Sequence, residues 1–223
     1  LDAQQYWQTV PVRRGFVSIK PVFEMIGERG FIAGSYAAFM CSPSAKPIQP
    51  GDIDIFATSM QNAEDIAHEI GHRFMISASF NGLVWSLAQW SRNSLPIQVI
   101  TPNPEWKVFP DDIINSFDMD VSRALLVDAA SVLADRNVGL PNGKLLRIAS
   151  PLRSMRRVLK YHRRGVDFSD QELIKLFLAW DRLSEERREE IVSSTVPVPE
   201  FHESMDDGTP YGWYSDDDYY EGE

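Results

Sequence analysis

The chain has 223 residues, 43% of them hydrophobic and 11% aromatic, enough to bury a core of one or two domains and too much for a disordered chain. No apolar run reaches the ~18 residues of a membrane span, the opening LDAQQYWQTV has no basic region ahead of an apolar core, and Cys41 is the single cysteine, so no membrane partner, signal peptide or internal disulfide is expected and a reducing, cytoplasmic location is the default. The formal charge of −10 is concentrated at one end: 11 acids and no Lys or Arg follow from Glu189 onward, leaving residues 1–188 with a net +1, so the acidity does not exclude a nucleotide or RNA ligand for the body.

In chain order, Val17 to Arg29 reads as a helix with Pro21 near its start and Gly30 at its end. Phe31 to Ala33 reads as a short buried strand, and Gly34-Ser35 opens a helix through about Met40. Three prolines make Ser42 to Pro50 a loop. Asp52 to Ala57 is a strand, and Gln61 to His72 an amphipathic helix with Ile66, Ala67 and Ile70 on one face. Phe74 to Ser79, Leu83 to Ala88 and Pro96 to Ile100 read as successive strands with a hairpin turn at Asn81-Gly82. Pro102-Asn103-Pro104 is a break. Pro110 to Asn115 is a short helix with acids in its first turn, and Phe117 to Val127 reads as a further strand.

Past Val127 the pattern turns helical. Ser150-Pro151 places an N-cap and an N1 proline ahead of a helix to about Arg164. Ser169 to Glu172 is a capping box for a helix to about Asp181, and Ser184 starts a third. The expected organisation is α+β: a mixed α/β unit over 17–130, a helical region over 145–193, and a low-complexity acidic and aromatic tail over 194–223.

The chemistry concentrates in Ile32 to Ala57. Asp52 and Asp54 at i and i+2 of a strand share a face, roughly 6.5–7 Å apart at the backbone, and can converge on hard divalent cations such as Mg²⁺. Gly34-Ser35 offers backbone N–H groups and a hydroxyl to an anion. Asp118 and Asp120 form a second alternating pair, and gathering four carboxylates favours cations because like charges raise one another's pKa. Arg153, Arg157, Lys160 and Arg164 recur at i, i+4, i+7 and i+11, a cationic face suited to triphosphate or nucleic-acid backbone. Lys160 is the leading candidate for a triphosphate contact. The bland alternatives are a solvated basic face paired with the acidic tail and a bystander among Asp118 and Asp120.

The order Gly34-Ser35, Asp52-x-Asp54 and Phe117-Asp118 resembles the DNA polymerase β-like nucleotidyltransferase superfamily over about 30–165. The likeness is nearest to the branch of poly(A) polymerase and CCA-adding enzyme heads. There a strand like Ile97-Gln98-Val99-Ile100 precedes a Phe-Asp-aromatic-Thr strand, and a helix follows with a pattern met here by Pro151, Arg153, Arg157, Lys160-Tyr161 and Arg164-Gly165. This chain has Phe117-Asp118-Met119-Asp120, with Asp120 where the branch has Thr. Which of Asp118 and Asp120 binds metal is therefore open. The resemblance implies a nucleotidyltransferase head with a mixed sheet and flanking helices followed by a small helical region. It also implies Mg²⁺ or Mn²⁺ and transfer of a nucleoside monophosphate from a nucleoside triphosphate, ATP among them. Asp52, Asp54 and Asp118 would be catalytic, those three with Asp120 the metal candidates, and Gly34, Ser35, Arg157 and Lys160 the nucleotide contacts. The acceptor, an RNA 3′ end, a tRNA, a protein or a small molecule, is not written in the residues. A non-catalytic binding or assembly protein on the same scaffold is the alternative.

His68 and His72 at i, i+4 are expected to be a surface pair rather than a zinc site, and the tryptophans to pack rather than stack bases. Tyr161 is either core or a base-stacking aromatic. The tail is either a solubilising end or a segment that binds a basic partner or folds back on the basic helix.

Overall fold

The computed structural model describes residues 7–13, 16–91, 94–102, 109–148 and 150–194. Its centre is an eight-stranded mixed sheet in the order β1-β8-β7-β2-β3-β6-β5-β4. The strands are β1 (Trp7–Pro11), β2 (Gly30–Ala33), β3 (Ile53–Ala57), β4 (Ala78–Phe80), β5 (Val84–Leu87), β6 (Ile97–Ile100), β7 (Ala124–Leu126) and β8 (Ser131–Asp135). Only β3 and β6 run parallel; all other neighbours are antiparallel.

The two faces of the sheet bury different layers, as the period-2 strand pattern requires. On one face Ile32, Ile53, Ile55, Ala57, Ile97 and Val99 pack with α1 (Phe16–Ile26), α2 (Ser35–Cys41) and α3 (Met60–Phe74). On the other, Ala33, Leu125, Phe31, Phe56 and Phe117 pack with Ile113 and Ile114 of α4 (Pro110–Ser116). Ser59 caps α3 through a hydrogen bond from the Asn62 amide, 3.0 Å, and Met75 ends it in the left-handed conformation. The Asn81-Gly82 turn forms as expected, with Gly82 at φ 101° and the Asn81 carboxamide oxygen accepting from the Val84 amide at 2.8 Å.

Helix α5 (Pro151–His162) and helix α6 (Asp170–Asp181) pack with the segment that follows α4. Val158 and Tyr161 of α5 and Leu176 of α6 share a second core with Met119, Val121 and Leu145. Ser150 and Ser169 cap the two helices as expected, accepting from the Arg153 and Glu172 amides. The reciprocal half of the capping box is absent: Glu172 is buried and turns its carboxylate to the Leu145 amide at 2.7 Å and to Lys175 at 2.7 Å. A two-stranded parallel pair, β9 (Asn142–Gly143) and β10 (Asp167–Phe168), and helix α7 (Glu185–Ser194) complete the described residues.

Several element boundaries depart from the sequence reading. Helix α3 runs on through Phe74, and the next strand begins only at Ala78. The strand expected over Phe117 to Val127 is confined to Ala124–Leu126. Phe117 caps α4, Asp120–Ser122 form a 3₁₀ turn, and Met119 makes only an isolated bridge to Leu145. Asp118 and Asp120 are therefore not strand neighbours on one face. Four strands were not expected: the short pair β9 and β10, and β1 and β8, which pair with each other from Trp7↔Asp135 to Pro11↔Ser131. Pro11 is tolerated because β1 is an edge.

No helix among the described residues is long and apolar enough to cross a membrane. Cys41 is buried in the main core, and burial pushes its thiol up to about 11. Because the thiolate is the reactive species, Cys41 is expected to resist iodoacetamide at pH 8 in the folded protein and to label fully in guanidinium chloride, read by mass spectrometry.

Candidate active site

The register of β2 on β3 builds the centre. Gly30 lies opposite Ala57 and Ala33 opposite Asp54, so the residue leaving β2, Gly34, comes down on the Asp54 carboxylate. Gly34 has φ 79° and ψ −149°, a region almost closed to other residues. A Cβ there would also sit 3.0 Å from Asp54 Oδ2 and 3.5 Å from Phe117 Cε1. Two independent constraints thus require glycine. Its amide is not free for an anion, because it donates to the Ala124 carbonyl at 2.9 Å. Ser35 follows as the first residue of α2, and its hydroxyl has no hydrogen-bond partner among the described residues.

Asp54 and Phe56 alternate with buried Ile53, Ile55 and Ala57, which places Asp54 on the α4 side of the sheet. Asp52 is buried immediately before β3. Burial, and then the neighbouring Asp52 charge, raise the Asp54 carboxyl to about 7 against the opposing pull of Lys160 and Arg157. Both cations belong to α5, so two members of the cationic face read from sequence lie within electrostatic reach of this carboxylate.

Asp118 leaves α4 just after Phe117, whose ring meets Phe56 edge-on at 6.0 Å. Its carboxylate is buried and takes a 2.6 Å charge-assisted hydrogen bond from Arg157 Nη1. Asp120 goes elsewhere. It is fully buried, its Oδ1 accepts from the Lys144 amide at 2.7 Å, and Asp135 and Asn137 are its side-chain neighbours. Burial pushes it up to about 6. As a metal candidate Asp120 is thus directed at a backbone amide, whereas Asp118 faces the cation that also reaches Asp54. Among the described residues no group of three or more His, Cys, Asp or Glu is gathered tightly enough to hold a metal. The oxygen-only pair Asp52 and Asp54 still suits a hard cation: Mg²⁺ needs only one or two carboxylates when phosphates complete its shell, and a carboxyl pushed up to about 7 is short of positive charge.

Sequence singled out Arg164 but not the glycine it covers, Gly51. The Arg164 guanidinium lies over Gly51, where a Cβ would fall 2.7 Å from Nη2, so the glycine before Asp52 makes room for a cation. Arg164 Nη1 is buried with no hydrogen-bond partner among the described residues. The Pro50-Gly51-Asp52 order was the available signal. Tyr161 resolves as core: it is buried with Met119 and Val121 and hydrogen-bonds Ser122. His68 pairs with Glu64 at 3.7 Å and packs against Trp85, which stacks on Phe80 at 4.7 Å. Trp90 stacks on Phe74 at 4.9 Å. Trp106 and the tail lie outside the described residues.

Comparison with known proteins gives one kind of match. No family model matches the chain, and neither does any curated protein. Among solved structures, a tRNA-processing enzyme in an apo form superposes at TM-score 0.56 and 15% identity, covering 81% of this chain and 53% of that one. A CCA-adding enzyme in complex with ATP superposes at 0.56 and 14%, covering 83% and 50%. The Thermotoga maritima CCA-adding enzyme complexed with tRNA gives 0.54 and 14%, covering 83% and 50%. The fold is that of a nucleotidyltransferase head. This head spans about half the length of those structures, and identities this low bear on the fold alone.

Two substitutions test the local geometry. Gly34→Ala is expected to cost about 1–3 kcal/mol in denaturant unfolding, from the unfavourable backbone and the crowded Asp54 carboxylate. Asp120→Asn is expected to keep the acceptor for the Lys144 amide and unfold near wild type, whereas Asp120→Ala strands that N–H and loses about 1–3 kcal/mol.

Proposed function

We propose that this chain is a metal-dependent nucleotidyltransferase that moves a nucleoside monophosphate from a nucleoside triphosphate to an acceptor hydroxyl. The observation that carries the reading is the convergence of Asp52, Asp54, Gly34-Ser35 and the α5 cations Arg157 and Lys160 at one end of β2 and β3. A phosphate grip beside paired carboxylates and fixed cations is what nucleotidyl transfer needs.

Asp52 and Asp54 would hold Mg²⁺ or Mn²⁺, which when bound supplies charge neutralisation of the triphosphate and a lowered pKa for the attacking hydroxyl. The other roles belong to the chain. Ser35 donates its hydroxyl to a phosphate oxygen, and Gly34 keeps the approach open by having no side chain. Lys160 and Arg157 offset the charge of the phosphates, with Arg164, whose Nη1 has no hydrogen-bond partner among the described residues, as a further cation over Gly51. The acceptor oxygen bonds to the α-phosphorus, the bond to the oxygen leading to the β-phosphate breaks, and pyrophosphate leaves. On this reading Asp118 serves as the third carboxylate, and Asp120, whose Oδ1 accepts from the Lys144 amide at 2.7 Å, stays out of the metal shell. This requires Arg157 to share its charge between Asp118 and the substrate.

ATP and CTP appear in the names of structures with this fold, and tRNA in others. They support a nucleoside triphosphate as donor and RNA among the candidate acceptors, with a protein hydroxyl or a small molecule the other candidates. The second reading is a scaffold without catalysis. One observation favours it: the carboxylate needed to complete the site, Asp118, is already paired with Arg157 at 2.6 Å.

Titration calorimetry with each nucleoside triphosphate in Mg²⁺ separates the readings. Heats saturating below millimolar support the enzyme, and silence at millimolar ligand supports the scaffold. With α-³²P-labelled triphosphates and cell lysate, label is expected in one acceptor class. Asp52→Asn or Asp54→Asn should each lower labelling by about 10²-fold or more with the fold intact, given the size of charge-stabilising contributions to catalysis; labelling at wild-type level in both variants would refute the assignment.

A further inference from the structure

Helix α6 is amphipathic in the wrong direction for its packing. Its buried side chains are Glu172 and Leu176, while Phe177 is 65%, Ile174 56%, Leu178 47% and Leu173 43% exposed. Residues 173 and 177, and 174 and 178, lie one above the other on a helix, so the four form one apolar face. Surface helices put such a stripe against the core, and contiguous exposed patches of this kind mark interaction sites. On α5, which packs against α6, Met155 and Leu159 are also exposed. At 100° per residue Arg156 and Arg163 come next around α5, followed by the cations that face Asp54.

We infer that this apolar face of α6 is the docking surface for the chain's own residues 195–223. Connectivity, length and charge all point to that occupant. The segment follows directly on α7, the next helix after α6 in the chain, and spans on the order of 90 Å if extended. Its sequence interleaves Phe201, Tyr211, Trp213, Tyr214, Tyr219 and Tyr220 with nine acids and no Lys or Arg. The aromatics match the apolar stripe, and the acids match the arginine border on α5. Because the segment is tethered, its effective concentration at the face is of millimolar order, and individually weak contacts suffice. The docking needs no catalytic activity and stands apart from the reaction proposed above.

The test uses the full chain with p-benzoylphenylalanine in place of Phe177, irradiated at low concentration, with crosslinked peptides mapped by mass spectrometry. The expected product has the mass of one chain and joins position 177 to residues 195–223. Combining Phe201→Ser, Trp213→Ser and Tyr214→Ser in the same chain should reduce that product about fivefold or more by removing the tethered contacts. A product of twice the chain mass assigns the face to a second copy and overturns the inference. So do monomeric products without tail peptides, and tail crosslinks that persist undiminished in the triple variant.

Discussion

The antiparallel pairing of β2 with β3 is the constraint on which the site depends. Its register, Ala33 opposite Asp54, brings together two segments that are separated in sequence by a proline-rich loop. A slip of one residue would turn Asp54 into the main core and Ile53 or Ile55 out of it. The hydrophobic pattern of β3 therefore protects the chemistry: Ile53, Ile55 and Ala57 must all be buried on the α1–α3 side, and the carboxylate between them is forced to the other. Gly34 completes the constraint, because only a residue without Cβ can leave β2 at φ 79° with the Asp54 oxygen 3.0 Å from where that atom would be.

A second link ties the helices to this centre. Arg157 on α5 reaches Asp118 at the end of α4, and the core around Val158, Tyr161, Met119 and Val121 holds α5 in place for it. The same helix carries Lys160 toward Asp54, and the turn just past its end sets Arg164 over Gly51. One amphipathic helix thus packs with one face and delivers cations with another. Glu172 performs the complementary service from α6, spending its carboxylate on the Leu145 amide instead of its own helix end.

Much of this was legible because it is periodic or local. The strand pattern of Asp52 to Ala57, the Gly-Ser exit from a strand, the Ser150 and Ser169 caps and the i, i+4, i+7, i+11 cations each carry their own signal. The segment after Phe117 was not legible. Asp118 and Asp120 alternate with Met119 and Val121 as a strand would, yet residues 118 to 122 are all buried, and the chain turns through a 3₁₀ segment between two layers. No spacing rule reveals that Asp120 is claimed by the amide of Lys144, a partner set by tertiary packing. The β1–β8 pair was missed for the same reason: it is short, carries a proline, and is defined by a partner far away in sequence.

The charge balance around Asp54 links the fold to the proposed chemistry. Two cations of α5 lie within electrostatic reach, and still its carboxyl is raised to about 7 by burial and by Asp52. One of those cations, Arg157, is already shared with Asp118. A triphosphate entering beside Ser35 would add several negative charges to a place where the fixed positive charge is already committed. On the proposed reading the deficit is too large for Lys160 and Arg164 to cover alone, and a divalent cation shared between the carboxylates and the phosphates is the economical way to close it. The same reasoning gives the Arg157–Asp118 pair a purpose before substrate arrives: it keeps a buried carboxylate satisfied and holds an arginine at the position where phosphate charge would come to rest.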